Sequence, residues 1–312
     1  MIAVLGETLV DRFEAGDGSP AIERTGGSPA NVAVALARLG VATRLVTQLG
    51  DDTRGRAVLR YLHDSGVLVT AGSVHGGRRT GVARTTIIDG QASYDFTAWW
   101  DKLSPAATRA VLDDHIRCLH TGSIAALAPA GSGAGTVQRA AAAARRRATI
   151  TFDPNCRPSI MGDAHAGRRR AEGLVALSDV VKASEDDVRW LYGDRPVTAV
   201  AARWLDLGAL LVIVTRGRRG SSAVTARTEV TVPAPAVDVV DTVGAGDSFM
   251  AGVLVGLDRA GVLGAAARPD LAALDGAAVE DLLRLGTKVA AITCGRQGAD
   301  SPTASELAAI TA

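Results

Sequence analysis

The chain is poor in the residues that staple small proteins or cage metals. Of its 312 residues only Cys118, Cys156 and Cys294 are cysteines. Three scattered thiols with no C-x-x-C spacing exclude a disulfide framework and a cysteine zinc site, and they fit a reducing cytoplasm. The five histidines are isolated, with none at i, i+4 from another, so each reads as solvated or core-capping. No apolar run approaches the roughly 18 residues of a membrane span. The opening MIAVLGETLVDRF has no basic leader and reads as a first strand, not a signal peptide. A formal net charge of +1 gives no reason to expect a nucleic acid or a membrane surface as partner. Aromatics make up only 4%, which we attribute to the same compositional bias that enriches Ala, Arg and Gly.

What remains is an ordinary globular balance, 47% hydrophobic and 21% charged, long enough for a large buried core. Residues 2–6 form an apolar run ending in Gly, as a buried parallel strand does. In GGSPANVAVALARLG, Ser28 and Pro29 stand at the expected N-cap and first helical position. Val32, Ala35, Leu36 and Leu39 follow helical spacing, and Gly40 closes the helix. From residue 110 the pattern alternates regularly between strands (118–124, 149–155, 179–184, 210–217) and helices (134–148, 168–178, 185–193, 199–208). A hairpin near 221–234, a helix over 244–261 and a final helical pair complete the chain. Such alternation predicts a mostly parallel sheet covered on both faces. Two segments break it. The stretch 8–24, with GDGSP at 16–20, is turn-rich, and 79–99 holds two β-rich runs around Asp89-Gly90, a hairpin signal. Together they predict a small separate sheet. The Gly-rich stretch 129–136 lacks the Lys-Ser/Thr ending of a phosphate loop and reads as a linker. The Arg runs 145–147 and 168–170 read as solvated helix ends.

The chemistry concentrates in DTVGAGDSFMAGVL, residues 241–254. A β-rich segment, AVDVVDT, runs into Gly244, Ala245 and Gly246, small residues that let backbone N–H groups approach a ligand closely. A helix begins there, and its free N–H groups and positive dipole end suit an anion. Asp247 lies in the first helical turn. A carboxylate beside a bound phosphate fits a base that takes the proton from a hydroxyl attacking that phosphate. The plain alternative is a capping Asp on an ordinary helix.

DTVGAGDSF resembles the C-terminal signature of ribokinase-like (PfkB-type) carbohydrate kinases, and GGSPANVAVALARLG resembles their N-terminal one, more than 200 residues upstream. LGDD at 49–52, FDPNCRPSI at 152–160, VTRGRRGS at 214–221 and TCGRQGADSPT at 293–303 agree, the second being most like fructokinase-like members. The resemblance spans the chain. It implies an α/β fold, a ribokinase-like three-layer sandwich with a mostly parallel central sheet and a small β-sheet lid, as one domain over 1–312 with the lid inserted at about 8–24 and 79–99. It implies an ATP-dependent sugar kinase that uses Mg²⁺ and K⁺, acts in the cytoplasm on a small sugar such as fructose, and forms a homodimer through the lid. Asp247 would be the base, with Gly244, Ala245 and Gly246 as anion hole. Asp11, Gly27, Asn31, Phe96 and Arg157 would meet the sugar. Thr215, Gly217 and Gly220 would line the ATP side. Asp241, Val243 and Gly298 would border the monovalent cation. Where these kinases carry Asn-x-x-Glu near the Mg²⁺ waters, this chain has Ser184 and Asp187. Tyr94, Phe96, Trp99 and Trp100 either close over the sugar or pack the lid.

Sugar-acid (2-keto-3-deoxygluconate) and nucleoside kinases share much of this pattern, although the lid strand ASYDFTAWW offers no Arg for an acid substrate. A non-catalytic binding protein on the same fold is the alternative of another class. A nicotinamide oxidoreductase is excluded, because the first strand leads into GETLVD and not into G-x-G-x-x-G.

Overall fold

Ile2 and Val4 face one hydrophobic core while Ala3 and Leu5 face another, and all four are buried. This period-two alternation with both faces apolar is what a central strand needs when helices cover both sides. Val180/Val181, Leu211/Val212 and Ile213/Val214 divide between the same two cores. The computed structural model describes residues 1–14, 19–88, 91–129, 133 and 135–309, with the backbone alone at 86–88 and 91–94.

The main sheet has nine strands. Their order is Glu229–Val232, Ser221–Val224, Leu211–Thr215, Val180–Ser184, Thr149–Asp153, Cys118–Gly122, Ile2–Leu5, Thr43–Val46, Leu68–Val69. The first two of these pairings are antiparallel and the rest parallel. One core lies under the helices Ser28–Arg38, Ala245–Arg259 and Gly276–Cys294. The other lies under Thr136–Ala144, Ala164–Val175, Glu185–Tyr192 and Val197–Asp206, around the buried Trp204. The result is the expected α/β three-layer arrangement. A smaller four-stranded sheet joins Ile22–Gly26, Leu9–Glu14, Val82–Ile88 and Gln91–Thr97 in that order. The Asp89-Gly90 turn, residues 16–18 of GDGSP and residues 130–132 and 134 of the Gly-rich linker lie outside the described residues. No helix among the described residues is long and apolar enough to cross a membrane.

Several local expectations need correction. Residues 233–243 form no paired strand, and Val237, Val239 and Val240 are exposed. AVDVVDT has β propensity, but the edge strand Glu229–Val232 has already ended at Val232 and the segment passes beyond the sheet. Gly27, not Ser28, is the N-cap of Ser28–Arg38, with no side-chain cap bond, because the Ser28 hydroxyl is engaged elsewhere. The Arg runs are not simply solvated. Arg145 donates to the buried Asp179 at 2.8 Å, and Arg170 donates to the Leu127 and Met161 carbonyls.

The helix Ala245–Arg259 is held at its depth by glycine. A Cβ on Gly252 would lie 2.8 Å from Gly286 Cα, and one on Gly286 would lie 2.9 Å from the Phe249 carbonyl oxygen. Both obstacles are backbone, so they cannot swing aside. Gly252→Ala therefore lowers stability by about 1–3 kcal/mol through overpacking, more than the ~1 kcal/mol that Ala gains in helix propensity. A urea melt checks the sign; a variant as stable as the parent would mean the two helices part without cost.

Candidate active site

The parallel strands end together, and polar residues gather at their carboxyl ends, where ligands bind in open α/β sheets. Gly122 and Asp153 are register partners, as are Ser184 and Thr215. Ser123 and Asn155, at this same edge, are the only non-glycine residues with positive φ among the described residues, at 56° and 35°. Such strain persists only where the surroundings impose it. At Ser123 the buried Glu7 carboxylate accepts from the Ala125 N–H at 2.9 Å. At Asn155 the N–H donates to Asp153 Oδ1 at 3.2 Å.

Asp247 sits at the centre, in the first turn of Ala245–Arg259 and 7% exposed. Ser28 Oγ donates to its Oδ1 at 2.7 Å and Asn31 Nδ2 to its Oδ2 at 2.8 Å. The carboxylate is thus oriented from both oxygens and keeps lone pairs for a further donor. Gly244 takes the left-handed conformation at φ 74° and turns the chain into the helix. The Ala245 N–H folds back on Thr242 O, whereas the Gly246 and Asp247 N–H groups have no acceptor among the described residues. Two free amides at the positive end of a helix dipole are the arrangement that suits an anion. Gly27, at φ 101°, lets the facing helix begin against it; a Cβ there would lie 2.7 Å from the Glu7 carbonyl oxygen.

Asp11, on Leu9–Glu14, is pushed up to about 6, chiefly by burial; the Arg157 charge opposes this and the Asp247 charge adds to it. The Arg157 and Asp247 charges are therefore near enough to act on Asp11. The Arg157 guanidinium is itself tied to its own loop, donating to Asn155 Oδ1 at 2.6 Å and to the Cys156 carbonyl. Phe96 is half-buried and packs on the core beneath the smaller sheet. The side chain of Tyr94 lies outside the described residues. Trp99 donates to the Arg79 carbonyl at 2.7 Å and stacks edge-on to His75.

On the other side, Thr215 ends its strand, and the short turn Gly217–Arg219 leads to Gly220 at φ 86°. Arg219 pairs with Glu185. Asp187 has little left to offer a bound group. Its Oδ1 accepts from Cys156 N–H at 2.6 Å, and its Oδ2 accepts from the N–H and hydroxyl of Ser184 at 2.7 and 2.6 Å, closing a capping box. Asp241 joins two loops, accepting from Val243 N–H at 3.0 Å and from Gly298 N–H at 2.9 Å. Those hydrogen bonds outweigh its partial burial and hold its carboxyl below the usual range. A cleft of about 430 Å³ lies between Asp11, Arg24, Asp241 and Gly298, beside Asp247 but not lined by it.

Ser28 was expected only as a helix cap, and Asp153 and Lys182 were not singled out from sequence. Lys182 Nζ donates to Asp153 Oδ2 at 2.7 Å, both side chains being buried. Burial pushes the ammonium down, but the Asp153 charge and hydrogen bond reverse this and the net direction is up, so the pair stays ionised. A Lys inside an apolar strand pattern was the one available signal. His120, bonded to Thr151 Oγ1 at 2.9 Å, is driven down to about 3 by burial and then by Lys182, and it stays neutral.

The chain matches the family described as pfkB family carbohydrate kinase over residues 1–306. It is 37% identical over 271 residues to a fructokinase of Rhizobium leguminosarum bv. trifolii, covering 82% of this chain and 79% of that one. Among solved structures it is similar to a fructokinase with bound ATP from Xylella fastidiosa, at a TM-score of 0.88 and 26% identity over 99% of this chain and 97% of that one. It also resembles aminoimidazole riboside kinase from Salmonella enterica, at a TM-score of 0.81 and 25% identity over 100% and 99%.

Asp187→Ala removes the reciprocal half of the capping box, leaving the Ser184 cap itself, and strands the buried Cys156 N–H. It costs about 2 kcal/mol, read as a lowered urea midpoint. A loss below about 0.5 kcal/mol would mean the box contributes no more than an exposed contact.

Proposed function

The chain belongs to the pfkB family of carbohydrate kinases, and we propose that its acceptor is a free ketose, fructose, with Asp247 as the base. It is an ATP-dependent sugar kinase, a phosphotransferase with an alcohol group as acceptor. The observation that carries the site reading is the placement of Asp247 beside two unpaired helix N-terminal amides, its carboxylate aimed by Ser28 and Asn31. The relatives named fructokinase support the choice of sugar.

In this reading the sugar hydroxyl oxygen attacks the γ-phosphorus as its proton passes to Asp247. The bond from that phosphorus to the bridging oxygen breaks, and ADP leaves with the electron pair. The Gly246 and Asp247 N–H groups stabilise the negative charge of the group in transfer. Asp11 accepts sugar hydroxyls from the smaller sheet, and the Thr215–Gly220 turn borders the nucleotide. Closure of that sheet over the sugar keeps water from the γ-phosphate. Mg²⁺ would screen the phosphate charges, carried largely by phosphate and water ligands as this ion prefers. A monovalent cation fits the loops joined by Asp241: the second of them continues to Ser301, whose buried hydroxyl has no partner among the described residues. Asp241 and Gly298 would hold it there and brace the turn before Gly244. A neutral sugar is favoured over a sugar acid because Arg157 already satisfies its own loop.

Asp247→Asn keeps the fold and ATP binding but loses roughly 100- to 10,000-fold in kcat; near-normal turnover would remove the proposed base. A coupled ADP-release assay with Mg-ATP and K⁺ on fructose, ribose, 2-keto-3-deoxygluconate and adenosine tests the substrate. Highest kcat/KM on another member would overturn fructose. The raised Asp11 carboxyl gives a pH test. It takes up its proton as pH falls through about 6, and a protonated acid is a poorer acceptor. KM for the sugar should therefore rise below pH 6, and Asp11→Asn should flatten that rise. A KM that stays level in the wild-type chain would remove Asp11 from the sugar site.

A further inference from the structure

The transfer carried by Asp247 leaves the buried Lys182 without a task. Strand Val180–Ser184 runs between two parallel neighbours. Its alternation sends Val181 and Ala183 to one core and Val180 to the other, so Lys182 points to the face covered by Ala245–Arg259. Its register partner there is the buried Ile213, and a core position of this kind calls for Val or Ile. A buried ammonium costs several kcal/mol in desolvation, and a single carboxylate seldom recovers all of it. Lys182 is nevertheless the only Lys or Arg among the buried described residues.

Its ammonium lies against the anion site. Nζ is 3.0 Å from where a Cβ on Gly246 would sit. Gly246 does not have the positive φ that demands glycine, so the approach of Lys182 is the constraint at that position. Of the three N–H donors of the ammonium, Asp153 accounts for one, and no other partner is found among the described residues. Its charge also couples to Asp187 and Asp247.

We propose that Lys182 is the fixed cation of the anion site. Held by Asp153 beneath Gly246, it adds a full positive charge to the partial charge of the helix N-terminus and stabilises the phosphoryl group in transfer. This rests on the assignment of Asp247 and its two amides as the transfer site. Lys182 is a positioning residue in the electrostatic sense, fixed before the substrates arrive, and it costs no reorganisation when charge develops. Gly246 is small so that this charge can come close.

The competing account is that Lys182 merely neutralises Asp153. A set of variants, assayed with ATP and the sugar that the wild-type chain turns over, separates the two. Lys182→Met with Asp153→Asn leaves no unpaired buried charge. Its kcat should fall roughly 100- to 1,000-fold while KM for the sugar stays within about threefold. Recovery of kcat to within about threefold of wild type would overturn the proposal. Asp153→Asn alone keeps the ammonium and should retain kcat within about tenfold; a loss as deep as that of the double variant would overturn it too, and this reading survives if the double variant fails to fold. Asp247→Asn is measured alongside. An active Asp247→Asn refutes the transfer site itself, whereas an inactive one beside an active double variant refutes Lys182 alone.

Discussion

The structure depends on one meeting: the first turns of two helices, 219 residues apart at Ser28 and Asp247, face each other across a pair of hydrogen bonds. Each helix start is built for that approach by a glycine with positive φ, Gly27 on one side and Gly244 on the other. Neither helix is capped by a side chain at this end. The donors and amides that would ordinarily be spent on capping are turned instead toward Asp247 and toward open space. Stability forgone at the two helix ends leaves the Asp247 carboxylate oriented from both oxygens and two helix amides without an acceptor among the described residues.

The electrostatics of the sheet edge follow from the same crowding. Asp153, Asp187 and Asp247 are all buried there, with Glu7 and Asp11 nearby. Asp153 is pushed up to about 6 by burial and by its acidic neighbours in spite of Lys182. Hydrogen bonds absorb part of the charge: two backbone amides and the Ser184 hydroxyl converge on Asp187, and two backbone amides on Asp241. In this way the carboxylates serve as loop fasteners, and the strained turns at Ser123 and Asn155 are held by the groups they position.

Much of the fold was legible because its signals are local. Residues 2–6 read as a strand from apolarity and a closing Gly, and the βα alternation after residue 110 fixed the layers. The hairpins in 8–24 and 79–99 stood out by contrast with that alternation, and their strands do pair. AVDVVDT misled for the same reason: propensity describes a segment's preference, while strand formation needs a neighbour with open hydrogen bonds, and none is present beyond Val232.

By itself the sequence determined the class of chemistry, because a Gly-Ala-Gly-Asp run before a helix has few other uses and its partner signature lay far upstream in the right order. It also marked the residues around which the transfer site is proposed: Asp247 and Gly246 with Asn31. Only the tertiary structure decided that Ser28 gives up its capping place to orient the Asp247 carboxylate, that Asp187 is consumed by its own loop, and that a Lys in a core strand lies under Gly246. Those outcomes depend on distances between segments that are remote in the chain, set by how the helices pack on the parallel strands, and side-chain spacing along a sequence carries no record of them.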